Sequence, residues 1–161
     1  MLRAVTALAR AGHGFQLDIV GEDTLGGAMQ ALSRELGLGD RVRFLGFQTQ
    51  RQLRPLVEAA DLLIVSSRHE AGPVAMLEAA VVGVPTVGTL VGHIAEWAPS
   101  AAAGVQVDDW NGLAHAIRRL LDDEDLRLRL ARNAMQRATV EHAGYTAARF
   151  EEIYLRLLED G

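Results

Sequence analysis

Cysteine is absent from the 161 residues, and so is lysine. The first absence excludes a disulfide framework, a thiolate metal site and a cysteine nucleophile, and is compatible with a reducing cytosol. The second leaves arginine to carry the positive charge: 16 Lys+Arg stand against 21 Asp+Glu, a formal net charge of −5, with a pI near 5.5. No basic run occurs, so the chain lacks the clustered positive surface that nucleic-acid phosphates need. A long uninterrupted apolar run is missing too. The most apolar stretch, Pro73 to Gly92, contains Glu78 and is broken by Gly83 and Pro85. A charge at mid-bilayer costs about 2.5–3.5 kcal/mol, so this stretch reads as buried protein and not as a membrane span. No signal-peptide pattern, internal repeat, low-complexity tract or linker is visible. What is there fits one soluble domain, because 49% hydrophobic and 23% charged residues allow a real core.

Short apolar runs rich in β-branched residues alternate with helix-patterned stretches, the rhythm of βαβ units on a parallel sheet. The expected strands are Leu17–Gly21, Val42–Phe47, Leu62–Ser66, Pro85–Thr89 and Gly104–Val107. Several are continuously apolar, as expected where helices cover both faces of a sheet. Helices are expected at Leu2–Ala11, Leu25–Leu36, Gln50–Ala59, Val74–Val82 and Asn111–Leu121, with Gly12, Gly37 and Gly83 as stops. The acidic run from Asp122 to Asp125 opens a helix to about His142, as cap and dipole partner and not as a metal site. A final helix is expected from Tyr145 to Leu158. Its Phe150, Ile153, Tyr154, Leu157 and Leu158 form a stripe that must face something apolar, either this domain's own sheet or another body.

The segment from Ser66 through Glu78 is the most informative. It lies where the third expected strand ends and a helix begins, at the carboxyl edge where ligands bind in open α/β folds. Gly72 allows close backbone approach, and Pro73 suits the first helical position. The amides of Val74 and Ala75 then point out of a helix tip that carries partial positive charge, an anion site. Glu78 sits about 7 Å down that helix with its side chain leaning back toward the tip. Glu70 precedes the helix on the loop. Two carboxylates around a phosphate-binding tip fit a ligand with a hydroxyl-bearing group at each end of a diphosphate, which is the anatomy of a nucleotide sugar. The plain alternative is that Glu70 is a solvated loop residue and Glu78 a surface charge.

Other residues carry less. The five histidines form no close pair with a third carboxylate, so no metal site is expected. His69 and His93 lie on the ligand edge, each open to a phosphate, a sugar or a structural partner. Ser66 and Ser67 lack the nucleophile-elbow pattern of hydrolases. Arg68 supplies positive charge near the diphosphate or is a solvated arginine. Trp97 and Trp110 are expected to pack and not to serve as sugar platforms.

Glu70 and Glu78, eight positions apart with Gly72-Pro73 between them and Gly83-Val84-Pro85-Thr86-Val87 following, resemble the E-x7-E signature of family 4 retaining glycosyltransferases of the GT-B fold. The resemblance runs along almost the whole chain. Leu17-Asp18-Ile19-Val20-Gly21 is similar to the family's strand and glycine, and Gly37 through Phe47 to its segment of the form lgl-x-drV-x-flG. Ala60-Asp61 with the strand to Ser67, and Gly92-His93-Ile94-Ala95-Glu96 after the next strand, also match.

The resemblance implies a Rossmann-like parallel sheet flanked by helices, half of a GT-B fold, with extra C-terminal helices. It implies that residues 1–161 are a single nucleotide-sugar-binding domain. Glu70 would be the catalytic-site carboxylate that binds the transferred sugar, and Glu78 would bind the ribose hydroxyls. The backbone of Ala71, Gly72, Pro73 and Val74 would meet the diphosphate and sugar. Gly46, Phe47 and Gln48 would meet the base, with Gly21 and Arg68 completing the donor-binding set. Transfer with retention is implied, with no metal and no cofactor besides the nucleotide-diphosphate sugar donor. The family's N-terminal acceptor domain is expected to be absent, as is the opening strand of the donor domain with its Gly-Arg pattern and Lys. In a sheet ordered 3-2-1-4-5-6 that strand is central, so its loss leaves Leu17–Gly21 and either Leu62–Ser66 or Pro85–Thr89 without a neighbour. The isolated chain is expected to be weakly active or inactive. Partners are a nucleotide sugar and the acceptor domain or a partner subunit, and no nucleic acid. The expected location is cytoplasmic, with peripheral membrane contact through the first domain left open. A non-catalytic nucleotide-sugar-binding subunit of a split transferase and a fragment of a GT-B-type epimerase are the alternatives.

Overall fold

The alternating pattern becomes a parallel α/β fold in the computed structural model, which describes residues 1–140 and 143–159. In chain order the elements are α1 (Leu2–Arg10), β1 (Leu17–Val20), α2 (Ala28–Glu35), β2 (Val42–Gly46), α3 (Gln50–Glu58), β3 (Leu63–Val65) and α4 (Val74–Val81). Then come β4 (Thr86–Thr89), α5 (Gly92–Trp97), β5 (Ala103–Val105), α6 (Trp110–Asp122), α7 (Glu124–Val140) and α8 (Ala143–Glu159). Every expected strand is present with its ends moved by at most a residue or two.

The glycine stops form as expected. Gly12, Gly37 and Gly83 have φ of 82°, 70° and 80°. Each donates its N–H into the last helical turn while the next residue reaches one position further back, as with Gly83 to Ala80 at 3.1 Å and Val84 to Ala79 at 2.9 Å. Asp123 caps α7 by accepting from the Leu126 amide at 2.9 Å, so the acidic run does the capping expected of it. Two boundaries differ. Residues 25–27 are turns and not the start of α2, because the Asp23 carboxylate accepts the amides of Leu25 and Gly27 and so offers the backbone another partner. The helix α5 is not among the expected helices. Ile94 and Trp97, both fully buried, are its whole apolar pattern, too little for periodicity to reveal six helical residues.

All strand pairings are parallel, in the orders β1-β2 and β3-β4-β5. Among the described residues no ladder joins β1 to β3. Of the two strands expected to lack a neighbour beside Leu17–Gly21, it is Leu63–Val65 that does, while β4 is paired on both sides. The β1-β2 pair carries a cross-strand clamp: Arg43 donates to both oxygens of Asp18 at 2.7 and 2.6 Å, and this holds the Asp18 carboxyl below the usual carboxylate range.

Helices cover both faces. Leu2, Val5 and Leu8 of α1 and Leu113, Ile117 and Leu120 of α6 pack with Val42, Val87 and the flanking Leu17, Ile19 and Ile64, so one core spans both strand groups. On the other face Met76 and Ala80 of α4, Ile94 and Trp97 of α5 and Ala134 of α7 close over Leu63 and Val65. Leu63 and Val65 face one core while Leu62 and Ile64 face the other, the two-residue period of a strand buried on both sides. On α8, Phe150, Ile153 and Tyr154 are exposed, so their stripe does not pack on this domain's own sheet; the side chains of Leu157 and Leu158 lie outside the described residues. No helix among the described residues is long and apolar enough to cross a membrane.

Candidate functional site

At the carboxyl end of β3 the chain leaves the sheet at Ser66 and re-enters order at α4. This loop is held from behind by β4 and α5. Thr89 at the end of β4 donates its hydroxyl to the Ser67 carbonyl at 2.5 Å, and Ser67 Oγ donates to Glu70 Oε1 at 2.7 Å. Gly92, with φ +49°, packs so closely that a Cβ there would lie 2.4 Å from the Ala71 carbonyl oxygen and 2.8 Å from that of Glu70. His93 lies against Gly72: a Cβ on Gly72 would meet the His93 Nε2 at 2.5 Å. The close approach that Gly72 permits is therefore, in this structure, the approach of an imidazole. That ring is oriented by Glu96, whose carboxylate is 3.2 Å from Nδ1, and by Trp97, stacked 6.3 Å away. Arg137 of α7 lies 5.3 Å over the Trp97 ring and bonds the Glu96 carbonyl at 3.1 Å. The loop is thus tied through α5 to the body of the domain.

Pro73 is not the first helical residue. Its ψ of 115° is extended, making it the N-cap of α4, and its carbonyl accepts the Met76 amide at 2.9 Å. The helix itself starts at Val74, where it was expected. The amides of Val74 and Ala75 still open at its tip, where no earlier turn can accept them. Val74 is 65% exposed there.

Glu78 is brought to a different neighbour. Gln50, the first residue of α3, donates to Glu78 Oε1 at 3.4 Å, and both line a groove of about 430 Å³ between α3 and α4 with Leu53, Val57 and Val81. Gln50 lies two residues beyond Gln48, the last of the candidate base-contacting residues. Among them Phe47 is 68% exposed and the Gln48 amide bonds back to the Leu45 carbonyl at 2.7 Å. Gly21 donates its N–H to the Gly46 carbonyl at 2.9 Å, placing these two glycines together where β1 and β2 end.

Arg68 is not a free cation. It reaches Asp108 Oδ1 with Nε at 3.1 Å and Nη2 at 2.9 Å, across a cavity of about 590 Å³ also lined by Arg3, Ser66, Thr89 and Trp110. Asp108 has φ 65°, the left-handed region that aspartate tolerates because its short side chain bonds locally. Trp97 is wholly buried, as a packing residue should be, but Trp110 is 41% exposed and faces this cavity; it stands at the N-terminus of α6, which the strand ends bring to the same edge. Among the described residues no group of three or more histidine or acidic side chains is arranged to hold a metal ion. Asp108, Gln50 and Thr89 went unnoticed in the sequence. Each lies 22 to 40 residues from the residue it contacts, and no local spacing could have marked them.

The profile of a family described as glycosyl transferases group 1 matches residues 1–137. The D-inositol 3-phosphate glycosyltransferase of Corynebacterium urealyticum is 32% identical over 131 residues, which are 80% of this chain and 31% of that protein. The chain thus spans about a third of the length of that curated relative. The structure of sucrose-phosphate synthase from Thermosynechococcus elongatus is 25% identical with a TM-score of 0.81, covering 99% of this chain and 43% of that one. HepE from Anabaena, solved in complex with UDP, superposes with a TM-score of 0.80 at 22% identity, over 96% of this chain and 43% of its own.

Proposed function

The chain belongs to the glycosyl transferases group 1 family, and from that premise we propose that it is the donor-binding half of a retaining glycosyltransferase, holding a nucleotide-diphosphate sugar at the carboxyl edge of β3. The observation that carries this reading is the pairing of an oriented carboxylate, Glu70, with the open tip of α4 beside it. The ligand anatomy follows from those groups. Open amides at a helix tip favour an anion, which supports a diphosphate over Ala71–Val74. Glu70 accepts hydrogen bonds from the transferred sugar. Glu78, held toward α3 by Gln50, accepts them from the ribose, which directs the base toward Gly46, Phe47 and Gln48 and the Gly21 corner. Arg68 contributes to the diphosphate only after exchanging Asp108 for it. HepE, which shares this fold, was solved in complex with UDP, and that supports a nucleotide ligand.

In the reaction the helix tip stabilises negative charge as it builds on the leaving diphosphate, while Glu70 keeps the sugar placed for transfer with retention. No metal or cofactor is assigned a role. An acceptor-binding domain or subunit completes the cleft, and transfer by this chain alone is low or absent. The cytoplasm is the proposed location. The exposed α8 stripe of Phe150, Ile153 and Tyr154 favours one further reading, a nucleotide-sugar-binding subunit that docks on a separate acceptor subunit.

Ligand-observed NMR with uridine-, guanosine- and adenosine-diphosphate sugars tests the site. One nucleotide class is expected to bind saturably, and Glu78→Ala to weaken it about tenfold, the loss of hydrogen bonds to two hydroxyls. Absence of binding by a folded chain would sink the reading.

A further inference from the structure

We propose that Ser67 is the positioning residue for Glu70: its hydroxyl holds one carboxylate oxygen so that the other is presented to the hydroxyls of the transferred sugar. The inference rests on the donor-site reading above and names the device that makes the site selective for a sugar ester over the bare nucleoside diphosphate.

The backbone of the loop is fixed without the Ser67 hydroxyl. Gly92 packs against the carbonyls of Glu70 and Ala71, and the Ser67 carbonyl accepts from Thr89, which is 5% exposed at the end of the doubly paired strand β4. The side chain of Glu70 is a separate matter. Among the described residues its one hydrogen-bond partner is Ser67 Oγ, 2.7 Å from Oε1.

A glutamate on an exposed loop has three rotatable side-chain bonds, and stilling them on binding weakens the interaction. A hydroxyl has a single proton to give. Donated to an ionised carboxylate it makes a short charge-assisted bond. With Oε1 occupied in this way, Oε2 is the oxygen left to accept from a ligand. Ser67 is fixed in turn by Thr89, so the carboxylate is referenced through two side-chain hydrogen bonds to the central strand of its sheet. Sites held by rigid elements in this way keep tighter geometry than sites left to a loop.

A purely structural role would give a different signature. If the Ser67–Glu70 bond served only to shape the loop, its loss would weaken every ligand that touches the loop, sugar or none. If it orients the carboxylate, the loss falls on the sugar alone.

The experiment measures, by titration calorimetry on the 161-residue chain, the affinities of UDP, GDP and ADP and of the glucose ester of each, for the wild type, Ser67→Ala, Ser67→Thr and Glu70→Ala. The wild type is expected to bind one glucose ester more tightly than its parent diphosphate, and Glu70→Ala to abolish that preference. Ser67→Ala is expected to cut the ester's affinity about three- to tenfold while leaving that of the bare diphosphate within about twofold, and Ser67→Thr, which keeps the hydroxyl, to restore it. Equal weakening of ester and diphosphate by Ser67→Ala overturns the proposal in favour of loop shaping. An unchanged preference in Ser67→Ala, with the preference lost in Glu70→Ala, overturns this inference and leaves the donor site standing. A preference that survives Glu70→Ala, or no binding of any of the six compounds, takes down both.

Discussion

At the scale of single residues, the candidate site is a matter of space as much as of chemistry. Gly72 carries no left-handed backbone; its missing side chain leaves the room that the His93 ring fills. Gly72→Ala should therefore destabilise the fold by about 1–2 kcal/mol, and adding His93→Ala should recover most of that loss, in a double-mutant cycle read by urea denaturation. A double variant as unstable as Gly72→Ala alone would mean that the His93 contact is not the cause. The value of Gly72 was legible from its place before a helix, but the occupant of its space was not, since His93 lies 21 residues on and is aimed by Glu96 and Trp97. Arg68 shows the same division. Its charge was evident in the sequence, and its engagement by Asp108 was not.

Among the elements, helix ends were the most legible features and short helices the least. A stop glycine acts within four residues, through its own φ and two backbone hydrogen bonds, so the sequence around Gly37 or Gly83 contains nearly all that decides it. The two sites differ in surroundings. A Cβ on Gly37 would meet nothing within 4 Å, whereas one on Gly83 would lie 3.2 Å from the Met135 methyl of α7. Both have positive φ, near 70° and 80°, so each alanine substitution should cost about 1 kcal/mol for the backbone. Gly83→Ala should cost more, by the displacement of Met135. Urea midpoints of the two variants measure this; equal shifts would show that the methionine yields freely. α5 went unread for the opposite reason: six residues held by Ile94 and Trp97 in the core owe their helix to burial against β4 and β5 and not to a pattern.

For the whole molecule, the ladder is in two pieces while the core is continuous. Among the described residues β4 is hydrogen-bonded on both sides, whereas β1 and β3 each have one partner. Native-state hydrogen exchange should therefore find the amides of Val87, Gly88 and Thr89 slowest as a group, with those of Leu17–Val20 and Leu63–Val65 divided between slow and fast along each strand. Uniform protection of β1 and β3 would contradict the pairing. The strands, the glycine stops, the parallel α/β class and the loop that carries Glu70 are all legible in the sequence, because each is written in short-range patterns of apolarity, turn residues and caps. Tertiary structure alone decided that Ser67 would be anchored by Thr89, that Glu78 would turn toward Gln50, that Arg68 would be held by Asp108 and that α8 would keep its stripe exposed. These arrangements depend on which strand ends and helix tips meet at one edge, and that is set by packing between segments far apart in the chain, which no local spacing encodes.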